Sequence, residues 1–146
     1  MKTLQSLFLS QAYQDCWDDY TRSLKLKNFP RWDYVILTAS NEQQVEGFRR
    51  QLEARKDFLP AETKFVAIPD RNGERVGSGG ATLEVLKYLH EQEGSFDGLR
   101  VLVIHSGGDS KRVPQYSALG KLFSPVPHEL PDGRSSTLFD EFMISM

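Results

Sequence analysis

The stretch "HSGGDSKRVPQYSALGK" combines a pair of glycines with basic side chains, directly after the apolar run "RVLVI". Glycine allows backbone conformations with positive φ and close approach to a ligand, so successive N–H groups can form a concavity for an anion. A guanidinium offers a phosphate two parallel donors, and an ammonium offers a compact charge. The pattern predicts a phosphate-binding cradle, and the alternative is a surface turn with solvated cations. The candidate residues of this cradle are Gly107, Gly108, Ser110, Arg112 and Lys121.

A second glycine-rich stretch, "RVGSGGATLEVL", opens a segment with helical periodicity. Gly77, Gly79 and Gly80 would leave N–H groups accessible at a helix N-terminus, where partial positive charge favours an anion. Ser78 and Thr82 could add hydroxyl donors. The alternative is a helix start in which the glycines only form a tight turn. Neither stretch is a Walker A loop or a G-x-G-x-x-G fingerprint.

The remaining reactive side chains are assigned structural roles. His105 closes an apolar run and is interpreted as a hydrogen-bonded structural residue, since no Cys or His spacing resembles a zinc site. Ser106 lacks the G-x-S-x-G surroundings of a hydrolase nucleophile. Cys16 lies beside Trp17 and is assigned to helix packing. No protein metal site is predicted from these residues.

Three continuous apolar runs are typical of buried parallel strands and alternate with helical segments. The runs cover residues 33–39, 64–70 and 99–105. The βαβαβ order favours a Rossmann-like α/β fold, an open and mainly parallel sheet whose ligands bind beyond the carboxyl ends of the strands. Both glycine-rich stretches fall near such ends, which favours ligand binding over simple turns.

Capping residues and prolines bound the helices. The helix after the first strand is predicted to begin at Ser40 or Asn41 and to end at Pro60, and the next helix is predicted to end at Gly94. Leucine, valine and phenylalanine at helical spacing predict the buried faces. These residues are Val45, Phe48 and Leu52 in the first helix and Leu83, Leu86 and Leu89 in the second.

Both ends of the chain are also predicted to be helical. Residues 1–30 read as an amphipathic helical lead, and a last helix begins at Ser136 or Thr137. Because that helix has no glycine cap, we expect the fold to be incomplete at the C-terminus and a C-terminal domain to be missing. Apolar surface is then expected to be exposed near Leu138, Phe139 and Phe142.

Composition limits the possible partners. The chain has 146 residues, a formal net charge of −2 and one cysteine. The net charge argues against nucleic acid or an anionic membrane as the main partner. No apolar run is long enough to span a bilayer, and no signal peptide is apparent. A single cysteine suits a reducing compartment, so we expect a cytoplasmic protein.

The stretch "HSGGDSKRVPQYSALGKLFSPVP" resembles the signature of sugar-1-phosphate nucleotidyltransferases, in which a Gly-Gly loop leads to an arginine, a proline and a lysine. More narrowly, "VILTASNEQQVEGFRRQLEARK" followed by "RVGSGGATLEVL" resembles the amino-terminal part of the fucokinase/fucose-1-phosphate guanylyltransferase family. The resemblance extends from Asp33 to Pro127. It assigns residues 31–146 to the amino-terminal part of a nucleotidyltransferase domain.

The resemblance implies that GTP and fucose 1-phosphate react to give GDP-fucose and pyrophosphate, with Mg²⁺ bound beside the nucleoside triphosphate. It places Gly107, Gly108 and Arg112 on the nucleotide phosphates and Lys121 beside the reacting phosphates. Such chemistry needs positioning and charge neutralisation more than covalent catalysis. The wider nucleotidyltransferases have G-x-G-T-R where this chain has Gly-Asp-Ser-Lys-Arg. Asp109 then either points outward or helps to hold magnesium.

The alternative function is that of a non-catalytic α/β module attached to a sugar kinase. Its loops would bind a nucleotide or nothing, and the module would dock or regulate its partner domain. Asp70 and Asp109 are the candidate magnesium carboxylates, and neither ends a later strand as the resemblance requires. We therefore expect weak nucleotide binding and no turnover by the chain alone.

Overall fold

The computed structural model describes residues 3–71, 76–106, 116 and 120–146. Helices and strands alternate along most of the chain, and a short 3₁₀ helix, Lys56–Phe58, follows the second α-helix. In chain order the elements are α1 (Leu4–Lys25), β1 (Tyr34–Ala39), α2 (Glu42–Glu53), β2 (Lys64–Pro69), α3 (Gly77–Glu93), β3 (Val101–His105), β4 (Pro125–Glu129), β5 (Ser135–Thr137) and α4 (Leu138–Ser145).

The first three strands form a parallel sheet in the order β2-β1-β3. Tyr34 of β1 pairs in register with Lys64 of β2 and with Val101 of β3. The chain moves from β1 to β2 in one direction and from β2 past β1 to β3 in the other. Right-handed crossovers then place α2 and α3 on opposite faces of the sheet. A mixed α/β fold with a three-stranded parallel sheet is thus confirmed.

β1 is the centre of this sheet, and all of its residues are buried. Tyr34 and Ile36 cluster with Val85 and Leu89 of α3. Because side chains alternate along a strand, the intervening residues of β1 face the other side, where α2 packs. Burial on both faces explains why β1 is a continuous apolar run rather than an alternating one.

The residues of the chain group into two compact units. The sheet unit comprises Pro30–Phe123, and the terminal unit comprises Met1–Phe29 together with Ser124–Met146. The assignment of residues 31–146 to one nucleotidyltransferase domain stays a prediction.

The helix α2 begins as predicted and ends earlier than predicted. The Asn41 side chain caps it by accepting a hydrogen bond from the Gln44 N–H, 2.9 Å away. The predicted buried residues of α2 are confirmed. Its end lies at Glu53 rather than at Pro60, because the buried stripe stops at Leu52 and the chain turns into the 3₁₀ helix.

The predicted buried face of α3 is wrong at two leucines. Leu83 is 66% exposed and Leu86 is 41% exposed, whereas Ala81, Val85 and Leu89 are buried. Spacing of four residues keeps these three nearly in line along the helix, and the small Ala81 allows the helix to approach the sheet. The predicted stop at Gly94 is confirmed, with a left-handed φ of 73°.

In the terminal unit, the proline-rich passage forms an antiparallel pair, β4 with β5, which the sequence did not predict. Prolines fit because both strands of a two-stranded sheet are edges. The helical lead is confirmed as α1, and the N-cap at Thr137 is confirmed with a capping box to Asp140. Leu138 and Phe142 are exposed as expected, but Phe139 is 0% exposed because it lies on the inner face of α4.

None of the helices formed by the described residues is both long and apolar enough to cross a membrane.

Candidate functional site

The candidate site lies at the carboxyl edge of the sheet, which we define as the ends of β1 and β3 with the starts of α2 and α3. The chain passes from β1 to its neighbour β2 on one side, and then back across to β3 on the other side of β1. The strand order therefore changes direction between β1 and β3. In open α/β sheets, the crevice at such a reversal is where ligands bind. The first turns of α2 and α3 direct their N–H groups to this edge. The partial positive charge of these N–H groups favours the binding of an anion.

The predicted glycine turn forms the start of α3. Gly77 is the first residue of the helix and has a left-handed φ of 69°, while Val76 precedes it without a side-chain capping hydrogen bond. Gly77, Ser78 and Gly79 are exposed. Among the described residues, no capping side chain therefore covers the N–H groups of this first turn, as a site for phosphate requires.

The glycines of this turn differ in what requires them. A Cβ on Gly80 would lie 2.5 Å from Cβ of Val76, so packing within the chain excludes a side chain there. A Cβ on Gly79 would meet no atom within 4 Å. Gly79 also has helical backbone conformation, for which glycine is less favourable than alanine. No described part of the fold therefore explains glycine at position 79, whereas close approach of a ligand would.

His105 connects this turn to the sheet. Its Nε2 lies 3.4 Å from Oγ1 of Thr82, and its Nδ1 lies 3.5 Å from Oγ1 of Thr38. Thr82 Oγ1 donates to the Ser78 carbonyl oxygen at 2.8 Å, so it can only accept from the imidazole. This assigns the hydrogen of the neutral ring to Nε2. Both nitrogens have hydroxyl partners, which agrees with the predicted structural role.

Polar groups also join β3 and β2 to β1 at this edge. Ser106 Oγ donates to the Thr38 carbonyl oxygen at 2.7 Å, so its hydroxyl holds the end of β3 against β1. The Asp70 N–H donates to the Ala39 carbonyl oxygen at 2.7 Å, which places Asp70 directly after β2 at the carboxyl edge. The described residues contain no group of three His, Cys, Asp or Glu side chains that could hold a metal ion.

Lys121 is exposed and lies between buried neighbours. Gly120 and Leu122 are buried on either side of it, and the Phe123 ring lies 5.4 Å from the Phe48 ring of α2. The side chain of Arg55, two residues after the end of α2, lies over the Phe123 ring, with its guanidinium carbon 5.2 Å from the ring centroid. The backbone of Lys121 is thus held along α2, and its side chain is exposed.

The structure places two parts of the predicted site, one beside the start of α3 and one beside the start of α2. Ser78 and Thr82 are joined to the end of β3, and Lys121 follows a glycine that contacts the first turn of α2. Four predicted residues lie outside the described part of the chain, so their positions stay predictions. These residues are Gly107, Gly108, Ser110 and Arg112. Asp109, the second candidate carboxylate, also lies outside it.

Gln44 and Thr38 are the residues that sequence reasoning missed. Thr38 is one of only two polar positions at the end of an apolar strand run that reads "YVILTAS". Gln44 precedes Phe48 by four residues and Leu52 by eight. This spacing already placed it on the buried face of α2. The signal that could have identified Gln44 was a polar residue at a buried position in the first turn of a helix.

Comparison with known proteins gives concordant matches. Residues 93–146 match the family model described as a fucose pyrophosphorylase domain. The chain is 41% identical over 99 residues to the fucose-1-phosphate guanylyltransferase of Mus musculus, a match that covers 66% of this chain and 17% of that protein. It is 37% identical over 99 residues to the fucose-1-phosphate guanylyltransferase of Homo sapiens, covering 66% and 16%.

A plant protein matches over more of the chain. The bifunctional fucokinase/GDP-fucose pyrophosphorylase of Arabidopsis thaliana is 35% identical over 140 residues, which cover 78% of this chain and 13% of that protein. The chain therefore spans between 13% and 17% of the length of these three relatives. No solved structure matches the chain significantly.

Proposed function

Because the chain belongs to the fucokinase/fucose-1-phosphate guanylyltransferase family, we propose that it is the nucleotide-binding part of an enzyme that makes GDP-fucose and pyrophosphate from GTP and fucose 1-phosphate. The proposal includes a cytoplasmic location and a Rossmann-like fold of the sugar nucleotidyltransferase type. The observation that carries it is the uncapped, exposed glycine turn of α3 at the carboxyl edge of a parallel sheet. That arrangement suits a triphosphate.

The proposed reaction exchanges one phosphoanhydride bond for another. A phosphate oxygen of fucose 1-phosphate attacks the α-phosphorus of GTP, and the bond from that phosphorus to the β-phosphate oxygen breaks, so that pyrophosphate leaves. No proton has to be transferred. The protein must therefore align two anions and neutralise the charge that develops on the leaving group.

The roles follow from the chemical types of the residues. The N–H groups of Gly77, Gly79 and Gly80 bind phosphate oxygens, with a hydroxyl donor from Ser78. The predicted donor role of Thr82 is corrected, because its hydroxyl already donates to the Ser78 carbonyl oxygen.

The other stretch supplies the cations. The N–H groups of Gly107 and Gly108 and the Ser110 hydroxyl bind the triphosphate, and Arg112 stabilises charge on the leaving pyrophosphate with its two-pronged guanidinium. Lys121 stabilises the phosphorus that is attacked.

Magnesium is proposed to bind with the triphosphate. Mg²⁺ prefers oxygen ligands and is commonly held by one or two carboxylates plus substrate phosphates. Asp70 supplies one carboxylate at the carboxyl edge, which fits a site completed by the nucleotide. When bound there, the ion would neutralise charge on the phosphate oxygens.

A thermal-shift experiment tests the choice of nucleotide. The purified chain would be melted with Mg²⁺ and GTP, ATP, UTP or CTP, because a ligand that binds only the folded state raises the melting temperature. We expect GTP to raise it most. Equal shifts with all four would remove the guanine assignment, and no shift with any of them would contradict nucleotide binding.

A further inference from the structure

Gln44 is a buried polar residue whose bonds are only half satisfied. It is 1% exposed and lies in the first turn of α2. Its side-chain oxygen Oε1 accepts a hydrogen bond from the Ser40 N–H at 2.8 Å, directly after β1. This bond assigns the amide orientation, since an oxygen must face the N–H donor. Its Nε2 has no hydrogen-bond partner among the described residues.

The unpaired Nε2 side of Gln44 lies against Gly120. A Cβ on Gly120 would come within 2.8 Å of Nε2 and within 3.3 Å of Cδ of Gln44. The same Cβ would also lie 3.3 Å from Cζ of Phe48. Contacts as short as 2.8 Å do not occur for real Cβ atoms, so a side chain at position 120 requires Gln44 to move.

The backbone conformation also requires a glycine at position 120, because φ there is 75°. This left-handed conformation is one that residues with a Cβ rarely adopt. The glycine immediately precedes Lys121, and Leu122 beyond it is buried. Backbone conformation and close packing therefore fix the direction in which the chain carries the lysine.

We propose that Gln44 and Gly120 are positioning residues that hold Lys121 at the carboxyl edge of β1. The amide bonds to the end of β1 on one side and packs against Gly120 on the other, so it sets the distance between them. Burying a donor without a partner is unfavourable, and an apolar side chain would avoid that cost. A glutamine there is explained by geometry, because its planar amide both accepts from the Ser40 N–H and packs against Gly120.

The role of Lys121 in this inference rests on the proposed function, but its position can be measured without a ligand. Lys121 and Lys87 are both exposed, so their rates of acylation by an amine-reactive ester can be compared by mass spectrometry in one sample. The variants are Gly120→Ala and, as a matched control, Gly94→Ala. Gly94 has a similar φ of 73°, but a Cβ there meets no atom within 4 Å.

We expect Gly120→Ala to change the acylation rate of Lys121 relative to Lys87, and Gly94→Ala to leave that ratio unchanged. Gly120→Ala should also weaken GTP binding as much as Lys121→Ala does, and the double variant should be no weaker than Lys121→Ala alone. Such non-additivity is expected when two changes disable one contact. Adding Gln44→Ala to Gly120→Ala should bring the acylation rate of Lys121 part of the way back to that of the parent chain. The reason is that Gln44→Ala removes the side-chain atom closest to the added Cβ.

The inference is overturned if Gly120→Ala alters the acylation ratio no more than Gly94→Ala does. It is also overturned if the effects of Gly120→Ala and Lys121→Ala on GTP affinity multiply. Should Gly120→Ala fail to fold, Gln44→Ala decides alone, since an unchanged acylation ratio in that variant contradicts the inference. If Lys121→Ala leaves GTP affinity unchanged, the proposed role of the lysine fails, and the acylation ratio still decides whether its position depends on Gln44.

Discussion

Lys121 is the candidate cation whose neighbours the structure describes, and its role gives the first prediction. Lys121→Ala should weaken GTP binding about 10- to 100-fold, because a hydrogen bond to a charged group contributes about 1.5–3 kcal/mol. Isothermal titration calorimetry with GTP and Mg²⁺ measures the change. Lys87→Ala, which removes an exposed lysine from α3, is the control and should bind like the parent chain. Equal affinities of the two variants would assign Lys121 to the solvated surface.

The residues of the site show what the sequence can and cannot predict. The glycine turn at 77–80 was identifiable because its reason is local, a helix start after a strand. The importance of Gly120 could not be predicted from the sequence, because it depends on a contact with Gln44, which is 76 positions away in the sequence. The prediction that His105 is hydrogen-bonded is confirmed, but its two threonine partners come from β1 and α3 and could not be named in advance.

At the scale of elements, the start of α3 gives the second prediction. Gly79→Ala should raise the free energy of unfolding by up to about 1 kcal/mol, because alanine favours the helix and meets no neighbouring atom. The same substitution should weaken GTP binding, since its Cβ would stand between the N–H groups and the phosphates. Thermal melts and calorimetry on one sample measure both quantities. A variant that is more stable and binds GTP equally well would show that no ligand approaches this turn.

A polar cluster at the opposite, amino-terminal edge of the sheet gives the third prediction. Glu93 of α3 accepts hydrogen bonds from Lys64 Nζ at 2.8 Å and from the Tyr34 hydroxyl, and these two bonds lower the pKa of the Glu93 carboxyl. A lowered pKa in the folded state stabilises the fold at neutral pH and ceases to do so as the carboxylate is protonated in acid.

Glu93→Gln should therefore lower the stability at neutral pH. Its difference from the parent chain should shrink as the pH falls below about 4.3, the ordinary pKa of a glutamate. Urea unfolding curves between pH 3 and pH 7 measure this. Glu91→Gln, at an exposed position two residues earlier on α3, should show no such convergence. A pH-independent loss in Glu93→Gln would mean that packing, not the carboxylate charge, stabilises this edge.

The elements also show why some predictions failed. Leu83 and Leu86 were expected to be buried because α3 is rich in apolar residues and offers two possible stripes, at spacings of three and of four. Only the position of the sheet decides between them, and periodicity alone does not contain it. The β4–β5 pair was missed because its prolines argue against a strand, a rule that holds for central strands and not for edges.

At the scale of the whole molecule, the length of the relatives gives the fourth prediction. The chain spans 13% of the Arabidopsis protein and 17% of the mouse protein. We therefore expect it to bind GTP without releasing pyrophosphate at a steady rate when mixed with GTP, fucose 1-phosphate and Mg²⁺. A coupled pyrophosphate assay measures this, with the full-length mouse relative as the positive control. Steady release that is lost on Arg112→Ala would show that the chain holds a complete site.

The central claim is that a nucleotide binds at the carboxyl edge of the sheet, and an NMR titration tests it most directly. Adding GTP and Mg²⁺ to the ¹⁵N-labelled chain should shift the amide signals of Gly77, Gly79 and Lys121 with one saturable dependence on concentration. The amide signals of Asp33 and Arg100, at the opposite edge, should stay in place. The claim is contradicted if the signals of the glycine turn and of Lys121 do not move, or if the saturable shifts occur at Asp33 and Arg100 instead.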